Sequence, residues 1–291
     1  MTAPSLVVVG DATLDVHVSP MRPVAAGSDV PAQIHMRPGG QGANLAVRLA
    51  RQGVAVTLVC ALADDPGARM VRTALAEDGV IVVPLSTDAT GVIVVIGDER
   101  GERSMLSHRA ALPPHVAATV AGRTPAWLLV SGYALLQPDA SALASGLAAV
   151  SARRVLVGCA VTDDALGSWR AAAAELRPDL VIANRQEAMA ARLDGLGAVL
   201  AITDANGAET TMGEQSVRAE APPGPPAADT TGAGDAFAAA FVAALVETAW
   251  PPSRDALQTA VERGVSLASA VARVPGAQAR VADERAAMLR P

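Results

Sequence analysis

The stretch Asp229-Thr230-Thr231-Gly232-Ala233-Gly234-Asp235-Ala236-Phe237 combines a turn of small residues with a carboxylate at the start of an apolar segment. In that segment, Ala236 to Val246, the residues Phe237, Phe241, Ala244 and Leu245 recur at helical spacing, which predicts a buried helix. A helix that opens on a glycine turn presents backbone N–H groups and the positive end of its dipole, and both suit an anion. Asp235 beside such an anion site is a candidate general base. Taken alone, the stretch is equally a loop with an acidic helix start.

Two further constellations lie near the N-terminus. After the apolar run Leu6–Val9 comes Gly10-Asp11-Ala12-Thr13-Leu14-Asp15. Open α/β sheets bind ligands at the C-terminal ends of their strands, and a pair of aspartates there suits a polyol. Next is Gly39-Gly40-Gln41-Gly42-Ala43-Asn44, leading into a helical pattern. Its glycines let backbone approach a ligand closely, and Asn44 can both donate to and accept from a hydroxyl. The spacing is not that of the dinucleotide fingerprint. Each of these turns, met singly, also reads as an ordinary loop or helix start.

These residues need elements to carry them. Apolar runs at Leu6–Val9, Val54–Val59, Val80–Val83, Val92–Ile96, Trp127–Val130, Arg154–Val157, Leu180–Ala183 and Ala198–Ile202 read as strands. Helical patterns at Ala43–Gln52, Ala68–Asp78, Ser141–Val150, Leu166–Leu176 and Arg185–Leu193 lie between many of them. Continuously apolar strands that alternate with helices argue a doubly wound, mostly parallel α/β sheet. Two segments, Val16–Arg37 and Thr90–His108, break the alternation and read as a small separate β-sheet. Gly97-Asp98-Glu99-Arg100-Gly101 supplies a hairpin signal in the second of them.

Composition removes several function classes. The 291 residues are 51% hydrophobic, enough for one large α/β domain or two smaller ones, and no apolar run reaches membrane-span length. The N-terminus lacks a basic region before Leu6–Val9 and reads as a first strand, not a signal peptide. Cys60 and Cys159 have no ligand spacing and read as reduced core thiols of a cytoplasmic protein. The net charge of −6, with scattered arginines, gives no footprint for nucleic acid. The chain has no lysine, which excludes a P-loop, a protein kinase and Schiff-base chemistry. Any handling of nucleotide phosphates must therefore use backbone amides, a metal ion or arginine.

The three constellations, in this order, resemble the ribokinase-like (PfkB-type) carbohydrate kinases over essentially the whole chain. Gly101-Glu102-Arg103, Asn184-Arg185-Gln186-Glu187 and Pro275-Gly276-Ala277 also fall where that family has counterparts. The resemblance implies a single ribokinase-like domain over residues 1–291, with a β-lid from about 16–37 and 90–108. It implies ATP-dependent phosphorylation of a primary sugar hydroxyl, with Asp235 as base and Gly232, Ala233 and Gly234 as the anion hole. Asp11, Asp15, Gly39, Gly40, Asn44 and Tyr133 would face the sugar. Asn184 and Glu187 would organise Mg²⁺ and the ATP phosphates, with Thr203 and Gly207 in the nucleotide loop. Asp229, Thr231, Ala270, Arg273 and Gly276 would form a monovalent-cation site for K⁺.

The partners so implied are a sugar and ATP, with neither nucleic acid nor membrane, and a homodimer through the lid. The chain departs from the family at Thr203-Asp204-Ala205-Asn206-Gly207, where a Thr-x-Gly-x-x-Gly loop lacks its middle glycine. Asp204 near phosphate would be repulsive unless turned away. Gln41 stands where ribose-specific members often have Lys, and Tyr133 where they carry an acidic sugar contact. Arg109 could reach toward a substrate charge. A nucleoside kinase on the same scaffold and a non-catalytic sugar-binding sensor are the alternative functions.

Overall fold

The apolar runs become the inner strands of one large sheet. A computed structural model describes residues 5–97 and 103–281. The first part comprises β1 (Leu6–Val9), β2 (Thr13–Pro20), β3 (Ala32–Gly39), α1 (Gln41–Arg51), β4 (Val56–Ala61), α2 (Pro66–Glu77), β5 (Ile81–Leu85) and β6 (Gly91–Gly97). The middle comprises β7 (Arg103–His108), α3 (Val116–Ala121), β8 (Trp127–Ser131), α4 (Ala140–Ala148), β9 (Arg153–Val157), α5 (Leu166–Leu176), β10 (Leu180–Asn184) and α6 (Arg185–Ala191). The last part comprises β11 (Val199–Asp204), β12 (Gly207–Met212), β13 (Gln215–Glu220), α7 (Ala233–Leu245) and α8 (Arg254–Val271).

The large sheet runs β13-β12-β11-β10-β9-β8-β1-β4-β5. It is parallel from β11 to β5 and ends in the antiparallel strands β12 and β13. Because strand side chains alternate, Leu6 and Val8 enter one core, with α1, α2, α7 and α8, while Val7 and Val9 enter the other, with α3, α4 and α5. This is the doubly wound α/β arrangement. The strand order reverses between β1 and β8, so the loops after their C-terminal ends flank a crevice. Asp11 and Ser131 both lie there.

Helix α7 is the buried helix expected from the sequence, with Phe237 and Phe241 almost fully enclosed. It packs against both α1 and α8. Cys60 and Cys159 are buried free thiols, and burial pushes both well above the usual thiol range.

The two segments that break the alternation form a second sheet of four strands, β3-β2-β6-β7. Its strands reach a little beyond the expected bounds, from Thr13 and to Gly39. The hairpin signal at 98–101 lies outside the described residues except for Gly97, which pairs with Arg103. Register puts Asp15, His17, Ile93, Val95 and Met105 on one face, toward the large sheet. Val16, Val18, Ile34, Met36, Val94 and Leu106 share the opposite face, where Ile34, Met36 and Leu106 are more than half exposed.

Candidate active site

A cleft of about 280 Å³ opens between the second sheet and the C-terminal ends of the large sheet's strands. Asp235 lies on its floor, the third residue of α7, after an N-cap, Gly232, held at φ 78°. Among the described residues the N–H groups of Gly234 and Asp235 meet no acceptor, whereas that of Ala233 donates to the Thr230 carbonyl at 3.2 Å. Free first-turn donors of this kind face an anion readily. Asp235 is half-buried in the cleft floor, and its desolvation there raises the carboxyl pKa from 3.8 to about 7, partly opposed by Asn44. Asn44 donates from Nδ2 to Asp235 Oδ2 at 2.8 Å.

On the sugar-expected side, Thr13 donates its hydroxyl to Asp15 Oδ1 at 2.7 Å, and burial raises the Asp15 carboxyl against that bond. Gly39 does not line the cleft. A Cβ there would overlap the Asp15 carboxylate, its nearest atom 2.0 Å away, so Gly39 makes room for Asp15. Asp11 Oδ1 accepts from the Gly42 N–H at 3.2 Å, and its Oδ2 is ion-paired with Arg109. The Arg109 guanidinium also lies over the Tyr133 ring, 3.8 Å from its centroid. Gln41 is held at both ends of its amide: it donates to the Gly158 carbonyl at 2.7 Å and accepts from Ser131 Oγ at 2.7 Å and Gly132 N–H at 3.1 Å.

Across the cleft, Asn184 and Glu187 form a capping box that starts α6. Glu187 N–H donates to Asn184 Oδ1 at 2.8 Å, and Asn184 N–H donates to Glu187 Oε2 at 3.0 Å. The box accounts for the pair structurally and also fixes the Glu187 carboxyl in the cleft wall, where burial raises it. Thr203 bridges to a neighbouring, more apolar pocket of about 230 Å³. Ala227, Gly207, Ala233, Phe237, Val265 and Ala272 line that pocket, and it shares Thr203 and Gly234 with the cleft. Asp204 lies in the lining of that pocket with its charge paired: its Oδ2 accepts from Arg185 at 2.8 Å, and this bond first, then the Asn206 N–H, lowers its pKa.

Asp229 joins two loops. Its Oδ1 accepts from Thr231 N–H at 2.9 Å and its Oδ2 from Gly276 N–H at 2.9 Å. The carbonyls of Ala270 and Gly276 each accept a turn hydrogen bond, from Arg273 and Ala279. Of the expected K⁺ residues, only Thr231 reaches the cleft wall.

The cleft thus gathers Asp15, Gly40, Asn44, Tyr133, Asn184, Glu187, Thr203, Thr231, Gly232, Gly234 and Asp235. Ala233 and Gly207 line the apolar pocket, and Asp11 meets the cleft through Arg109. Sequence reasoning left out His17, Ile93, Val95 and Met105 of the second sheet as cleft residues; their alternation with Val94 and Leu106 was the available signal. No group of three or more His, Cys, Asp or Glu side chains that could hold a metal occurs among the described residues. No helix there is long and apolar enough to cross a membrane.

A family model described as pfkB family carbohydrate kinase matches residues 3–284. The chain is 26% identical over 275 residues to a ribokinase of Arabidopsis thaliana, covering 84% of this chain and 71% of that protein. The solved structure of Arabidopsis thaliana ribokinase complexed with ribose and ATP is similar with a TM-score of 0.79 at 23% identity, over 99% of this chain and 98% of that one. Adenosine kinase from Sinorhizobium meliloti is similar with a TM-score of 0.78 at 22% identity, over 99% of each chain. At such identities the solved structures speak for the fold, while the family match spans nearly the whole sequence. The chain belongs to the pfkB family of carbohydrate kinases.

Proposed function

We propose that the protein transfers the γ-phosphoryl group of ATP to a primary hydroxyl of a small sugar. The observation that carries this reading is the Asp235 carboxylate on the floor of a polar cleft, beside free first-turn N–H groups and a separate apolar pocket. The adenine suits the apolar pocket, which leads the phosphates toward Gly232, Ala233 and Gly234. The sugar suits the opposite side, among Asp11, Asp15, Gly40, Asn44 and Tyr133.

The acceptor hydroxyl gives its proton to Asp235 as its oxygen attacks the γ-phosphorus, and the bond to the β,γ-bridging oxygen breaks to release ADP. Phosphoryl transfer asks for positioning and charge stabilisation, which the α7 N–H groups supply in a site sheltered from water. Mg²⁺ carried on the phosphates would offset their charge. Glu187, with Asn184, is the carboxylate placed to hold it, through water, and such an ion needs no protein cage. The second sheet would act as a lid, its Ile93, Val95 and Met105 excluding water from the transfer. Asp229, Thr231 and the carbonyls of Ala270, Arg273 and Gly276 remain the K⁺ site of this reading. Buried free thiols fit a reducing compartment such as the cytoplasm.

The base must be ionised to accept a proton, and its pKa of about 7 therefore sets an acid limb. Expected is a kcat/KM about tenfold lower at pH 6 than on a plateau above pH 8, as one ionisation demands. Initial rates from pH 5 to 9 check this.

Arg109 weighs against a nucleoside acceptor, because it covers one face of Tyr133, the one Tyr, Trp or Phe in the cleft lining among the described residues. The test is ADP release from Mg·ATP against sugars, sugar acids and nucleosides, with and without K⁺. A strong sugar or sugar-acid response supports the reading. A nucleoside response moves the acceptor class, and sugar-induced thermal stabilisation without ADP release leaves the sensor.

The outer face of the second sheet, with Ile34, Met36 and Leu106 exposed beside Val16, Val18 and Val94, suits a second copy of this chain. Light scattering is expected to give a dimer, and Met36→Glu with Leu106→Glu a monomer. A monomeric parent protein would contradict the lid-mediated dimer.

A further inference from the structure

Asn44 is held from two sides. Its Nδ2 donates to Asp235 Oδ2 at 2.8 Å, and its Oδ1 accepts from Gln278 Nε2 at 2.9 Å. Gln278 is half-buried on the segment that follows α8. That segment is clamped to α1, where Arg48 donates to the Ala277 carbonyl at 2.7 Å and Arg51 to the Gln278 carbonyl at 2.8 Å. Asn44, Arg48 and Arg51 follow one another at helical spacing along one face of α1. A third tie comes from the Gly276 N–H to Asp229. Three consecutive residues are therefore fixed by their backbone, and the Gln278 amide is aimed from a rigid platform.

A carboxamide is not symmetric, since one end donates and the other accepts. Asn44 supports an ionised Asp235 only with its NH₂ group turned toward the carboxylate. In that orientation its Oδ1 points away, into a part-buried place where it needs a donor.

We propose that Gln278 is a positioning residue for phosphoryl transfer: by donating to Oδ1 of Asn44, it holds the Asn44 amide in the orientation that donates to Asp235. The inference rests on Asp235 as the base. Among the causes acting on that carboxyl, the Asn44 hydrogen bond is the main one that favours the ionised form against burial; of the charged groups facing it, Asp11 and Glu187 oppose ionisation and Arg48 favours it. Loss of the orientation therefore makes the base hold its proton to higher pH.

Gln278→Glu reverses the polarity of the contact. Asn44 then turns its NH₂ toward the new carboxylate and presents Oδ1 to Asp235, an arrangement that favours a protonated Asp235. The midpoint of the acid limb of kcat/KM is expected to rise by about one pH unit, giving about a tenfold loss at pH 6 that fades above pH 9. Gln278→Ala removes the donor without adding an acceptor and is expected to move the midpoint less.

A second readout needs no turnover. The pH dependence of the thermal-stability difference between Asp235 and Asp235→Asn, taken in the Gln278 and Gln278→Glu backgrounds, reports the Asp235 proton directly. The same upward displacement is expected there. A midpoint unmoved in both readouts overturns the proposal, even if the plateau rate falls. Failure of the base assignment looks different: turnover that survives Asp235→Asn, while the unfolding midpoint still shifts with Gln278→Glu.

Discussion

Asp235→Asn is expected to lower kcat about 10³-fold, within the roughly 10² to 10⁴-fold range of a positioned general base, while the fold persists. The fold should persist because the Asn44 Nδ2 that donates to Asp235 at 2.8 Å can donate equally to an amide oxygen. The same substitution should stabilise the protein at alkaline pH. The folded-state pKa of Asp235, about 7, stands above the ordinary 3.8, so the folded protein holds a proton that the unfolded chain has already released. Ionising the buried group thus costs the native state, and stability is lost as pH rises from about 4 through 7. Removing the carboxylate restores up to about 4 kcal/mol above pH 7, at about 1.4 kcal/mol per unit of pKa, and almost nothing near pH 4. Thermal unfolding of both proteins at pH 4.5 and pH 8 reads this directly, alongside steady-state rates. Equal melting temperatures at pH 8, or a turnover within a few fold of the parent, would contradict the buried base.

Two glycines at the head of α7 should fail in different ways. Gly232 has φ 78°, a region costly for any residue with a Cβ, and a Cβ there would meet Ala277 backbone atoms at 2.8 Å. Gly232→Ala should therefore cost about 1–3 kcal/mol of stability and disturb the donors aimed at the phosphoryl group. Loss of one such donor typically lowers kcat by about 10² to 10³-fold. Gly234 has open space around the position of a Cβ and no positive φ. Alanine there should gain up to about 1 kcal/mol of helix propensity. Its methyl group nevertheless projects into the cleft beside the free N–H groups, where the phosphoryl group must approach. A displacement of about 1 Å at that point can cost about 10²-fold in rate. Expected is a melting temperature that falls in Gly232→Ala and holds or rises in Gly234→Ala, with kcat lowered in both. Full activity in Gly234→Ala would place the transferring group elsewhere.

The inner strands were legible because both faces of the large sheet are covered, which makes their sequences continuously apolar, as in Leu6–Val9. Asp235 and its helix were legible for a local reason too: the glycine turn, the carboxylate and the apolar spacing all lie within a few residues. The antiparallel strands β12 and β13 were not assigned, since Glu209, Thr210 and Thr211 dilute the apolar pattern of β12 and only Val217 and Ala219 mark the buried face of β13. Helix α8 was also missed, although Leu257, Ala260, Val261 and Val265 mark its buried face, because charged and small residues stand between them. Within the site, the hardest features were those made by distant pairing. Nothing near Gln278 tells that its amide meets Asn44, 234 positions away. Arg109 could be suspected of seeking a charge, but its partner, Asp11, and its stack on Tyr133 come only from the closing of the second sheet over the crevice. Asp204 looked hostile to phosphate until the fold set Arg185 beside it.

The most direct test of the central claim follows phosphorus itself. With Mg·ATP and the sugar or sugar acid that elicits ADP release, phosphorus-31 NMR should show a phosphate monoester of the acceptor growing in step with ADP. Little inorganic phosphate should form, and Asp235→Asn should show neither signal on the same timescale. ATP converted only to ADP and inorganic phosphate, or ester formation undiminished in Asp235→Asn, would contradict a sugar kinase with Asp235 as its base.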